Sequence, residues 1–85
     1  MKMEKKKFHL ASAGNVLVPA YLSVEQKGYT INKLDDNLLS ARNENAEFIA
    51  EDPLYLLGLI SIYEIRGKNW KATDKEIDEY SKKFD

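Results

Sequence analysis

The chain has no cysteine and a single histidine, His9. The first absence excludes a disulfide framework, a thiol nucleophile, an iron–sulfur cluster and cysteine-ligated zinc. The second excludes a metal site built on two histidines of one chain. An excess of either charge is lacking as well: 13 Lys and Arg stand against 14 Asp and Glu, a net charge of -1. Nucleic-acid binding normally rests on a clearly basic domain, so it is disfavoured as the main function. The longest uncharged stretch near the middle, Pro53 to Tyr63, falls far short of the ~20 apolar residues of a membrane helix. The two prolines and four glycines are scattered singly, leaving no Pro/Gly-rich linker, and there is no repeat or low-complexity tract.

What remains is an 85-residue chain of ordinary globular composition, long enough for one domain and one modest core. Without disulfides, most of its large apolar side chains are expected in that core. Residues 1–7, with four lysines and one glutamate, read as a flexible basic arm ahead of a single domain over 8–85. The arm has the charge of a secretory leader, and Ala11-Ser12-Ala13 looks like a cleavage site. Only Phe8, His9 and Leu10 lie between them, where secretion needs about 7–15 apolar residues. A leader is therefore rejected, and a cytoplasmic address fits the missing cysteine.

Periodicity divides the domain into six main elements. Phe8 and Leu10 alternate with polar neighbours, as in a short edge strand. From Asn15 to Lys27 the spacing is helical, with Leu17, Tyr21 and Val24 on one face and Ala20 beside them; Pro19 makes the start uncertain, and Gly28 is placed for a left-handed cap. Tyr29–Leu34, Leu38–Arg42 and Ala46–Ala50 alternate as strands, joined by Asp35-Asp36-Asn37 and Asn43-Glu44-Asn45 turns. Asp52, Pro53 and Gly67 frame a helix that is apolar nearly all round, so it is expected at the centre, between the sheet and the other helices. Thr73 and Glu76 form a capping box for a last helix whose stripe is Ile77, Tyr80 and Phe84. The expected fold class is α+β, a small single domain in the order α-β-β-β-α-α. Its three-stranded antiparallel meander packs on a central buried helix.

Each candidate functional residue also has a simpler structural role. His9 has no serine or orienting acid arranged beside it, so a surface position is preferred. Asp35, Asp36, Glu44, Glu47, Glu51 and Asp52 lack the alternating ligands and central glycine of a calcium loop. Glu64, an acid on an apolar helix, is the one candidate general acid or base, although pairing with a lysine or a tyrosine at the helix edge is preferred. Gly58 and Ser61 form a notch expected to admit a closely packed element. Trp70 between Lys68 and Lys71 is suited to stacking a base, but a loop anchored in the core by Trp70 is preferred.

Charge distribution is the strongest functional signal. Residues 1–33 carry six lysines and two glutamates, whereas the span from Glu44 to Asp52 holds four acids and no cation. Four more acids open the last helix. The first reading is therefore a small non-catalytic protein-binding module, comparable in type with regulatory, adaptor and immunity proteins. It would present an acidic face built from Glu44, Glu47, Glu51, Asp74 and Asp78, with Tyr55 or Tyr63 supplying affinity to a protein partner. A second reading is a nucleic-acid accessory protein using Lys5, Lys6, Lys7, Lys68, Trp70 and Lys71. The third is a small-molecule binder or small enzyme centred on Glu64 and Gly58, which needs a pocket of about 300 Å³ or more. A homodimer modifies the first reading, its seam formed by apolar surface of the central helix left uncovered. No cofactor, metal or membrane contact is expected.

Overall fold

Two short polar turns fold the middle of the chain into a meander. Asp35 accepts a hydrogen bond from the Asn37 backbone at 2.8 Å, and Asn43 accepts from the backbones of Asn45 and Ala46 at 2.8 and 2.9 Å. These side chains replace backbone partners where the chain reverses. The computed structural model describes residues 7–12 and 15–85, and the strands are β1 (Thr30–Asp35), β2 (Leu38–Arg42) and β3 (Glu47–Ala50). They pair antiparallel in the order β1-β2-β3. Leu34 is an extra residue in β1, where the pairing slips between Lys33 and Asp35.

Helix α1 (Leu17–Gln26) precedes the sheet, and α2 (Pro53–Arg66) follows it. A 3-10 turn at Gly67–Asn69 leads to α3 (Asp74–Phe84). The order is thus α-β-β-β-α-α in one small α+β domain. Pro19 is accommodated because it falls in the first turn of α1, where a backbone N–H has no helical partner to lose. Gly28, at φ +94°, takes the left-handed conformation that ends α1 and turns the chain into the sheet. Asp52 caps α2 by accepting from the Tyr55 backbone at 2.7 Å, directly before Pro53.

The register sets Ile31, Ala41 and Phe48 side by side on one sheet face, with Leu39 and Ala50 in the next row. That face carries the core. Leu56 and Ile60, one turn apart on α2, are fully buried there with Val24 of α1, Tyr29, Ala41 and Ala50. Two alanines on the sheet let α2 approach closely, and the larger Ile31, Leu39 and Phe48 fill the flanks.

Three expectations change here. Residues 7–12 contain no strand, and Phe8 and Leu10 are exposed. On α1 the buried positions are Ala20 and Val24, while Leu17 and Tyr21 face outward, because α2 and β1 cover only one edge of the predicted face. Last, α3 packs on no other element beyond marginal contact, so its stripe of Ile77, Tyr80 and Phe84 stays exposed. The Cα radius of gyration is accordingly 16.6 Å, against ~12 Å for a close-packed domain of this length. No helix among the described residues is long and apolar enough to cross a membrane.

Candidate functional site: an acidic edge strand beside an apolar groove

β3 is an outer strand, so one row of its backbone groups has no partner strand among the described residues. Beside it, between β3 and α2, runs a groove of about 560 Å³. Phe48, Ile49, Leu59, Ile62, Tyr63 and Trp70 give it an apolar lining, with Glu47 and Lys68 as its charged members. The aromatic rings are continuous with the core. Tyr29 and Phe48 have centroids 5.8 Å apart at 67°, and Phe48 and Tyr63 are 5.6 Å apart at 59°, the tilted arrangements that aromatic quadrupoles favour.

Trp70 closes one end of the groove. It is 54% exposed, so it does not anchor its loop in the core as the sequence suggested. The loop is held instead by Arg66, which donates from Nε to the Trp70 carbonyl at 2.9 Å and from Nη2 to the Lys71 carbonyl at 3.4 Å. The indole is left beside the groove with the Lys71 ammonium 5.9 Å from its centroid. Sequence reasoning placed the loop correctly but missed this arginine, whose spacing from Trp70 is one helical turn.

The acidic candidates divide into two sets on elements that do not pack together. Glu44 lies in the turn before β3, Glu47 on β3 and Glu51 just after it, all exposed. Glu47 faces Arg42 across the ladder, its carboxylate 3.9 Å from the guanidinium. Asp74 and Asp78 are on α3, where Asp78 pairs with Lys82 at 3.3 Å. No packing between β3 and α3 joins the two sets into one face. Tyr55 is exposed on α2, on the side turned away from the sheet. Lys68 and Lys71 flank Trp70 and are exposed, as is Lys7; Lys5 and Lys6 lie outside the described residues.

Glu64 takes the structural role. Its carboxylate accepts from Lys27 Nζ at 2.8 Å, bridging α2 to the end of α1, with both side chains partly exposed. Its charge acts on Tyr29, whose phenol is pushed above its ordinary value by burial first and by Glu64 second. Neither Glu64 nor Gly58 lines the groove, or a second concavity of about 390 Å³ between α1, α2 and residues 10–12, so neither hollow is centred where the sequence pointed. Nor is Gly58 covered by a close neighbour: a Cβ there would meet nothing within 4 Å. The notch is open because no third element packs across it. Among the described residues, no group of three or more His, Asp or Glu is arranged to hold a metal ion. No protein-family model matches the chain, and comparisons with curated proteins and with solved structures find no match either.

Proposed function

We propose that the chain is a small non-catalytic protein-binding module whose partner contributes an extended apolar segment flanked by basic residues. The coincidence of three features at β3 carries this reading: an outer strand, the acids Glu44, Glu47 and Glu51 along it, and an apolar groove at its side. Backbone groups of an edge strand accept an added strand, alternate side chains of that strand enter a neighbouring groove, and the acids steer cationic flanks. The engagement of Glu64 by Lys27 supports the non-catalytic part, since the carboxylate is already committed to an ion pair that joins α2 to the end of α1. A reducing, cytoplasmic setting suits a chain without cysteine.

The test is selection from a displayed random-peptide library with the full chain as bait. Enriched peptides should alternate apolar residues and carry Lys or Arg at their ends. The double variant Glu47→Lys, Glu51→Lys should bind them at least ten-fold more weakly while keeping its circular dichroism. Failure to enrich any such motif, or binding indifferent to the reversal, overturns the reading.

The exposure of Trp70 between Lys68 and Lys71 favours a second reading, stacking of single-stranded nucleic acid. The chain has one tryptophan, so its fluorescence reports that site alone. Quenching by an oligonucleotide at low salt that vanishes at high salt would support stacking, and unchanged emission at low salt would remove it.

A further inference from the structure

Residues 7–12 hold a strand signature without a strand. Phe8 and Leu10 alternate with Lys7 and His9, yet the segment is irregular and its two apolar side chains are 85% and 75% exposed. The converse holds for β3, a strand whose outer backbone edge has no partner among the described residues. An extended segment and an open edge are the two halves of a strand addition. We propose that residues 5–10 of a second copy add to β3 as a fourth strand.

The two segments match in both shape and charge. Alternate residues of an extended chain share a face, so Phe8 and Leu10 go together, with Lys7 and His9 opposite them. On β3, Phe48 and Ala50 belong to the core face, and Glu47 and Ile49 alternate with them. Placing Phe8 and Leu10 on the core face lowers both into the groove beside Phe48, against Leu59, Ile62 and Tyr63 of α2. Lys7 then falls on the face of Glu47. Lys5 and Lys6 precede it, and Glu44 and Glu51 flank β3, so three cations meet three acids. These charges lie on the pairing segments and at their ends, where they select this occupant.

The fold directs the segment to another molecule. In its own chain, Leu10, Ala11 and Ser12 line the hollow with Leu54 and Leu57 of α2. The β3 groove draws instead on Leu59, Ile62 and Tyr63. At 3.6 residues per turn these two sets lie about 160° apart around α2, so the helix stands between the segment and its own groove. Donor and acceptor on opposite sides of one helix make the contact head-to-tail, and such contacts do not stop at a dimer.

The proposal rests on the reading of β3 as a strand-accepting edge. In sedimentation, the mass of the full chain should rise above 9.8 kDa with concentration. The double variant Phe8→Asp, Leu10→Asp should stay at the monomer mass with unchanged circular dichroism, because both side chains are exposed in the single chain. A synthetic peptide of residues 5–12 should bind this variant and slow exchange of the β3 amides. Under conditions where the parent chain is associated, the peptide should bind it roughly five-fold more weakly, since most of its sites are then filled. Association that survives the double variant overturns the proposal. So does a parent that is monomeric at every concentration, and β3 amides that lose protection in the variant would then identify the chain's own segment as the occupant. If library-selected peptides bind both proteins and the 5–12 peptide binds neither, self-recognition falls and the β3 site stands. If no peptide binds either protein, both readings fall.

Discussion

The guanidinium of Arg66, the last residue of α2, lies 3.0 Å from the carboxylate of Glu76 in the first turn of α3. The same side chain donates to the carbonyls of Trp70 and Lys71. One arginine therefore ties together the end of one helix, the loop that carries Trp70 and the start of the next helix. Glu76 is also half of the capping box, accepting from the Thr73 backbone at 2.9 Å.

These contacts hold the Glu76 carboxyl below the usual range, the Thr73 backbone N–H contributing most and Arg66 next. Because the folded value lies below the unfolded one, the stabilisation is present above the ordinary carboxylate value. It is lost as pH falls through the depressed value. A carbon-detected NMR titration should find the Glu76 midpoint below that of a model glutamate. In Arg66→Ala the midpoint should rise but stay depressed, because the backbone donor remains. An ordinary midpoint in the parent chain would contradict the capping geometry.

Loss of the cap should be felt locally. Thr73→Ala removes the hydroxyl that accepts from the Glu76 backbone at 3.2 Å, a change that costs about 1 kcal/mol of helix stability. Since α3 packs on almost nothing else, that cost should appear as faster amide exchange within residues 74–84. Exchange in β2 and in the buried turn of α2 should be unchanged. Equal acceleration in both regions would mean that α3 belongs to the cooperative core.

Local chemistry made most of the fold legible in the sequence. Asp52, Pro53 and Gly67 bound α2 at the residues expected, and β2 begins and ends where its alternation does, because caps and turns are decided within a few residues. What could not be read was which apolar faces find partners. The stripe on α3 has the same signature whether it lies on a core or in solvent, and burial depends on where the loop at residues 67–73 directs the helix. Trp70 follows the same logic: its exposure is set by Arg66 holding the loop backbone, a contact with no periodic trace. The groove beside β3 was hidden for a related reason, since it draws on residues from 46 to 70 that only the tertiary fold assembles. Glu64 was half legible, its helix-edge position implying a cation but not identifying Lys27.

Tyr29 should limit stability in alkali. Burial and the Glu64 charge raise its phenol, while the neighbouring Asn43 side chain and the Lys27 charge oppose them. The folded value therefore exceeds the unfolded one, so the contribution is full below the ordinary tyrosine value of about 10 and lost as pH rises toward the folded value. Urea midpoints measured across that window should fall in the parent chain and fall less in Tyr29→Phe. Parallel pH profiles in the two proteins would show that another group carries the alkaline loss.

The contrast between Leu56 and Ile77 tests the division into a packed core and an outlying helix. Leu56 is fully buried between the sheet and α1, so Leu56→Ala removes apolar contacts and leaves a cavity that close neighbours fill only in part. The expected loss is about 2–5 kcal/mol, a large share of the roughly 5–10 kcal/mol available to a domain of this size. Ile77 is equally apolar but lies exposed on α3, and Ile77→Ala should change stability by less than about 0.5 kcal/mol. Urea unfolding followed by circular dichroism gives both values. A loss at Ile77 comparable with that at Leu56 would require the α3 stripe to be covered in solution, with Tyr80 and Phe84 then showing the same sensitivity.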